Sequence, residues 1–352
     1  MEEPEILTNP VAPEHKDADW AEAVTFLLPA VDNQQQEPGW LADDAALDRS
    51  NSPHIPQSPI NRRISLTPLP ETLLSVLEAP VSLEEEKRSE LSLSDLPTGM
   101  WPLHVDAFTA RILLELQGPS LGLWRAAEIA ALCEQTFERP ILDVGCGDGL
   151  VTSMALSVVD VGLDPDAHTL ERTARLGLYE QFECVPVEEA RLEEESFATV
   201  VSNSVLEHLP HVDEALAAIA RMLLPGGKLI LTAPTESFSK WLALPIEKYA
   251  AWRNRRLCHL NLWSIEEWRQ HLEKAGFEVE LVRPYMRREL VMLWDALELL
   301  QQLYIGHYRL FSLLWRRLPH RLLDWLAQQL TRLDLSAKAP GGGRLIVARK
   351  RP

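Results

Sequence analysis

Cysteine is scarce. The chain has four in 352 residues, Cys133, Cys146, Cys184 and Cys258. No two share a CxxC spacing, and none stands with histidines at metal-ligand spacing, so neither a disulfide framework nor a metal site is expected. Long apolar runs are missing as well. No stretch of about 18 apolar residues occurs, so a membrane-spanning helix is not expected. The opening MEEPEILTNP has no basic segment and no apolar segment, so it does not read as a secretory leader. The expected location is the cytoplasm. A basic stripe is also lacking: acidic residues outnumber basic ones 52 to 34, which argues against nucleic acid as a partner.

What is present is unevenly spread. The first 95 residues hold 19 acidic and 6 basic side chains and 11 prolines, whereas the rest of the chain holds 33 acidic and 28 basic. High net charge and frequent proline work against a packed core, so residues 1–95 are expected to form a disordered acidic region. Trp20 and Trp40, with apolar neighbours, read either as short docking motifs or as part of a plain acidic tail.

From Trp101 onward the pattern changes. HVDAFTARILLELQ and SLGLWRAAEIAALCEQTF carry apolar residues at helical spacing, broken at GPS. Strands then alternate with helices. The strands are PILDVG, VVDVGLDPD, FECVPV, FATVVSNSVLEHL, KLILTAPT and EVELVRPY, with GGGRLIVARK as the last. HVDEALAAIARMLL is a helix stopped by Pro225 and two glycines, and SIEEWRQHLEKAGF is one with Ser264 as its N-cap. The alternation predicts a Rossmann-like α/β fold with a seven-stranded, mostly parallel sheet and helices on both faces. The expected division is a domain over residues 96–286, a helical insert over 287–338 and the last strand of the domain within 339–352.

RPILDVGCGDGLVT runs a strand directly into three glycines, Gly145, Gly147 and Gly149. Glycines permit a tight turn and let a ligand touch the backbone N–H groups at a helix start. A dinucleotide binder asks for G-x-G-x-x-G, and here the last position is Leu150. Asp143 beside the turn would repel a pyrophosphate and suits a cationic ammonium group instead. Asp164, 19 residues beyond Gly145, stands where an acid can accept hydrogen bonds from both ribose hydroxyls. It also reads as a turn residue in DPD, helped by Pro165.

These motifs together resemble the class I S-adenosylmethionine-dependent methyltransferases, in their small-molecule, type 11-like group. LDVGCGDG, VGLDPD and VVSNSVLEHLPHVDEALAAIARMLLPGGKLILTAP carry the resemblance, which runs from about Pro140 to Phe277 plus the last strand. It implies S-adenosyl-L-methionine as cofactor. Gly145, Gly147 and the nearby backbone, with Cys146 and Gly149, would line its methionine part. Asp143 would orient the amino group through water, and Asp164 would bind the ribose. An acid after the third strand would meet the adenine, with Glu188 nearest that place and Glu189 a rival. Asn203, Ser204 and Val205 would close the turn beside the methyl group. The chain departs from the family at Ala198, where an Asp after the Phe is usual, and it lacks the LPF segment before it.

A hydroxyl acceptor must lose a proton, which asks for a base. Glu207 and His208 follow the fourth strand, and His259 lies in a loop expected to overhang the site. EHLP also reads as a family helix-entry turn that serves any substrate. The segment 236–263 is aromatic and basic, with Trp241, Tyr249, Trp252, Arg253, Arg255 and Arg256, and reads either as an acceptor pocket with an anion contact or as a packed cap. Residues 287–334 hold three Trp and 7 Arg against 5 acids among leucines at helical spacing. They read as a lid, a homodimer face or a peripheral contact with the inner face of the membrane. The expected acceptor is small or lipid-linked and amphiphilic, methylated on oxygen, with carbon and nitrogen open. The alternative is a non-catalytic cofactor-binding module that acts through a protein partner.

Overall fold

In the computed structural model, residues 6–7, 101–302, 304–305 and 308–352 are described. Apart from Ile6–Leu7, which pairs antiparallel with Phe137–Glu138, the residues 1–95 expected to be disordered, with the segments around Trp20 and Trp40, lie outside the described residues. Short runs buried on both faces make the interior of a parallel sheet. Ile141–Val144 (β1) is buried at every position. It lies between Val159–Leu163 (β2) and Phe197–Asn203 (β4), in parallel register with both. Tyr179–Glu183 (β3) extends the sheet beyond β2, and Leu223–Pro234 (β5) extends it beyond β4. Gly343–Lys350 (β7) inserts antiparallel between β5 and Phe277–Tyr285 (β6). The strand order is therefore β3-β2-β1-β4-β5-β7-β6, with the order reversing at β1 and β4. The carboxyl ends of strands at such a reversal form a ligand crevice.

Helices cover both faces. Ala107–Leu132 (α1), Leu150–Ala155 (α2) and Ala167–Thr173 (α3) lie on one side. Val212–Met222 (α4) and Ile265–Lys274 (α6) lie on the other, where Ala215, Leu216, Ile219, Trp268 and Leu272 are buried. The Ser264 hydroxyl and Glu267 carboxylate form a reciprocal capping box at the start of α6, so the expected N-cap stands. Glu247–Arg256 (α5) belongs to the segment between β5 and α6.

Three boundaries differ from the sequence reading. The break at GPS is a kink within α1, where Gly118 takes φ +76° and Pro119 follows. The fifth strand begins at Leu223 rather than Lys228, so it takes in the Pro225-Gly226-Gly227 segment. That segment runs inside β5, with Gly226 at φ +76° and a register shift against β4 between Phe197 and Thr199. The third strand begins at Tyr179 rather than Phe182 because Tyr179 is buried and its hydroxyl is fixed on Asp143.

The insert before β7 comprises Arg288–Gln301 (α7), the two-residue hairpin arms Tyr304–Ile305 and Tyr308–Arg309, Leu310–Trp315 (α8) and His320–Thr331 (α9). Its inner side packs on α1. Leu323, Ala327 and Leu330 are buried, Trp315 Nε1 donates to the Leu114 carbonyl at 2.8 Å, and Arg111 pairs with Asp324 at 2.8 Å. Its outer side exposes Leu314, Leu322 and Trp325 beside Arg316, Arg317 and Arg321. Among the described residues, no helix is long and apolar enough to cross a membrane.

Candidate active site

All three glycines of the turn after β1 are in the left-handed region, Gly145 at φ +70°, Gly147 at +52° and Gly149 at +70°. Each has its own reason. A Cβ on Gly145 would stand 2.4 Å from Val205 Cγ2, so glycine lets the turn after β4 close against the turn after β1. Gly149 caps α2, and a Cβ there would strike Leu176 and Thr173 at 2.8 and 2.9 Å. Gly147 has open space above it, with the nearest heavy atom at 3.9 Å, so its backbone is bare on that side. The N–H groups of Gly145 and Cys146 both donate to the Leu163 carbonyl, at 2.7 and 3.1 Å, which stitches the turn to β2.

Asp164 closes the same crevice from β2. Its Oδ2 accepts the Gly147 N–H at 3.0 Å and its Oδ1 the Asp166 N–H at 2.9 Å. Asp143 sits underneath. It is buried, and its Oδ2 accepts the hydroxyls of Thr152 and Tyr179, each at 2.7 Å. Burial pushes its pKa up to about 6, against the pull of those two hydrogen bonds and with a further rise from Asp164. Asp143 thereby ties α2 and β3 to β1, an anchoring task the sequence did not suggest. Glu188 and Glu189 lie in a short 3₁₀ turn after β3, both exposed, and among the described residues neither carboxylate has a hydrogen-bond partner. The Cys184 thiol rests 3.6 Å from the Pro165 carbonyl and joins this turn to that of Asp164.

The turn after β4 is built on a residue that sequence reasoning missed. Glu128 of α1 is fully buried and accepts from four donors. These are Trp124 Nε1 at 2.8 Å, Arg125 Nη1 at 2.6 Å, Asn203 Nδ2 at 3.2 Å and the Ser204 hydroxyl. Ser204 takes φ +52° to reach it. Asn203 is held on its other side by the Thr232 hydroxyl at 2.8 Å. The available signal was a single charge in AAEIAAL, an otherwise apolar run that is buried throughout.

Glu207 and His208 follow. Glu207 is buried, its Oε2 has no hydrogen-bond partner, and burial together with the charge of Glu128 raises its pKa to about 8. His208 Nδ1 lies 3.0 Å from the Cys258 carbonyl, which can only accept. The proton is therefore on Nδ1 and the lone pair on Nε2. That Nε2 lies 3.7 Å from Glu207 Oε1. Burial lowers the His208 pKa from its ordinary value of 6.5. Cys258 takes φ +53° to present its carbonyl. His259 stacks on His208 with ring centres 5.4 Å apart and meets the edge of Phe238 at 5.1 Å. Burial, helped by His208 and Arg253, lowers the His259 pKa to about 3. The structure thus brings Glu207, His208 and His259 together at the carboxyl edge of the sheet. Among the described residues, no group of three His, Cys, Asp or Glu is placed to hold a metal ion.

Bare backbone beside the carboxylates of Asp143 and Asp164 is a poor cradle for a phosphate. A family model described as a methyltransferase domain matches residues 107–282, half of the chain. The chain belongs to this methyltransferase family. The methyltransferase is 33% identical over 116 residues to a ubiquinone biosynthesis O-methyltransferase of Photobacterium profundum, a match covering 30% of this chain and 48% of that protein. To the mitochondrial ubiquinone biosynthesis O-methyltransferase of Mus musculus it is 34% identical over 102 residues, 26% of this chain and 28% of that one. The match thus spans about half the length of the bacterial relative and less of the mouse one. Among solved structures it is similar to a methyltransferase of Thermotoga maritima described as a possible histamine N-methyltransferase, at 16% identity and a TM-score of 0.43, covering 65% of this chain and 90% of that one. It is also similar to a phosphoethanolamine N-methyltransferase of Haemonchus contortus, at 18% identity and a TM-score of 0.43, covering 70% of this chain and 60% of that one.

Proposed function

We propose that the methyltransferase moves the methyl group to a hydroxyl oxygen of a small or lipid-linked, amphiphilic acceptor, with His208 as the base. The observation that carries this reading is the Cys258 carbonyl on His208 Nδ1, which leaves Nε2 as a lone-pair nitrogen of fixed orientation. The similarity over 116 residues, 30% of this chain, to a ubiquinone biosynthesis O-methyltransferase supports an oxygen acceptor. S-adenosylmethionine supplies a methyl group already activated on a sulfonium. In this reading Gly145, Cys146, Gly147 and Gly149 line its methionine part, Asp164 takes the ribose hydroxyls and Glu188 the adenine. Asp143 adds negative potential beneath the amino group. The protein's own tasks are then alignment, exclusion of water and removal of one proton.

Glu207, with its pKa at about 8, is protonated at neutral pH and stands as a neutral neighbour 3.7 Å from His208 Nε2, leaving that lone pair free. His259, weakly basic and buried, forms a wall of the acceptor pocket rather than a second base. Phe238, Trp124 and Trp294 continue that wall, with ring centres 5.3 to 5.5 Å apart, and favour an apolar acceptor body. The exposed Leu314, Leu322 and Trp325 with three arginines suit contact with a membrane surface that stores such an acceptor. The test is the pH dependence of methyl transfer to catechol. With His208 as base, kcat/KM rises through a midpoint below 6.5 and is flat above it. A rise through a midpoint of about 8 would assign the proton transfer to Glu207 instead.

A further inference from the structure

Arg253 of α5 has no exposed surface, yet its guanidinium is poorly matched. Its Nε lies 2.9 Å from Asp295 Oδ1, an ion pair, but among the described residues none of its three nitrogens has a hydrogen-bond partner. Asp295 is already engaged, accepting the Tyr249 hydroxyl at 2.8 Å and the Ala243 N–H at 2.9 Å. Arginine–carboxylate pairs are frequently side-on, with two parallel hydrogen bonds, and Arg253 and Asp295 do not form one. Leaving buried charged donors without acceptors is costly.

The neighbours of this guanidinium lead back to the site. It lies 5.2 Å from the Trp294 ring centre. Trp294 meets Phe238 at 5.3 Å, Phe238 meets His259 at 5.1 Å, and His259 stacks on His208. Trp294 Nε1 and His259 Nδ1 in the same cluster are also buried and, among the described residues, without hydrogen-bond partners. One wall therefore runs from the candidate base to a cationic fork with free N–H groups. The segment carrying Arg253 exposes Leu244, Ile246 and Trp252 and is pinned to α7 by the Ala243 N–H and Tyr249 hydroxyl on Asp295, so an acceptor reaches the guanidinium only as these bonds open.

We infer that Arg253 binds an oxyanion of the acceptor, so that the acceptor carries a carboxylate or phosphate besides the hydroxyl that is methylated. This rests on the oxygen-transfer reading above. Asp295 holds the guanidinium until the acceptor's anionic group meets Nη1 and Nη2 side-on.

The test uses the full chain saturated with S-adenosylhomocysteine and titrated by calorimetry with benzoate and, separately, with inorganic phosphate. The expected result is one-to-one binding of at least one anion, with the preferred one naming the acceptor group. Arg253→Gln should weaken it about tenfold or more, and Arg255→Gln, an exposed change on the same helix, should leave it unchanged. Asp295→Asn removes the internal competitor and should tighten binding. It also carries the test should Arg253→Gln fail to fold. No binding by the wild type, equal binding by Arg253→Gln, or no tightening in Asp295→Asn would overturn the inference. Methyl transfer from S-adenosylmethionine to catechol, which bears no anionic group, is measured on separate portions of the same proteins free of S-adenosylhomocysteine. Transfer without anion binding sinks the Arg253 site alone, and anion binding without transfer sinks the oxygen-transfer reading alone.

Discussion

In the proposed reading, the Cys258 carbonyl sets the tautomer of His208 while the neighbouring Glu207 carboxyl stays protonated. His208 is kept neutral by burial, with its proton pinned on Nδ1, so Nε2 is ready at neutral pH. His208→Gln should lower kcat by about 10²–10⁴-fold, the usual worth of a positioned base, while S-adenosylmethionine affinity measured by calorimetry stays the same. Glu207 gives a prediction on stability. Its pKa is raised from 4.5 to about 8, so the folded state keeps a proton that the unfolded chain loses. The stability this lends is full below pH 4.5 and drains away as pH rises through about 8. Glu207→Gln keeps the protonated shape without the titration. Its stability relative to the wild type, read from urea melts at pH 6 and pH 9, should therefore improve as pH rises. An unchanged difference between the two pH values would mean that Glu207 is already ionised at neutral pH.

At the scale of elements, the site depends on two turns that touch. Gly145→Ala puts a methyl at φ +70° and 2.4 Å from Val205 Cγ2, so it should destabilise by roughly 1–3 kcal/mol in a urea melt. Val205→Ala should recover part of that loss in the double variant, since the two sites share one contact. Additive losses would show that backbone strain, not the contact, sets the cost. The glycine turn, the acid at the end of β2 and the capped start of α6 were all legible in the sequence, because each is a local pattern with a local cause. What was not legible depends on distant partners. Glu128 lies about 75 residues from the Asn203 and Ser204 it fixes. The Pro225-Gly226-Gly227 bulge needs the neighbouring β4 to keep it in the sheet, and the start of β3 needs Asp143 to hold Tyr179. His208 could be named from its place after β4, but its tautomer depends on a carbonyl 50 residues away.

For the whole molecule, charge is divided. The chain carries a net −18, yet the outer side of the insert gathers Arg316, Arg317 and Arg321 around exposed Leu314, Leu322 and Trp325. If this face meets the membrane, the full chain should float with vesicles containing anionic lipid, and release as salt is raised toward 0.5 M. Arg316→Gln with Arg317→Gln and Arg321→Gln should abolish flotation without changing S-adenosylmethionine affinity. Flotation with neutral vesicles alone would contradict the electrostatic part of that account. The most direct test of the central claim is transfer of a ¹³C-labelled methyl from S-adenosylmethionine into an extract of the source cells. Carbon NMR of the isolated product then identifies the methylated atom. The account predicts label on an oxygen-bound methyl carbon in an amphiphilic product, lost with Asp164→Ala through failed cofactor binding and with His208→Gln through failed turnover. Label on nitrogen or on carbon, or transfer undiminished in His208→Gln, would contradict it.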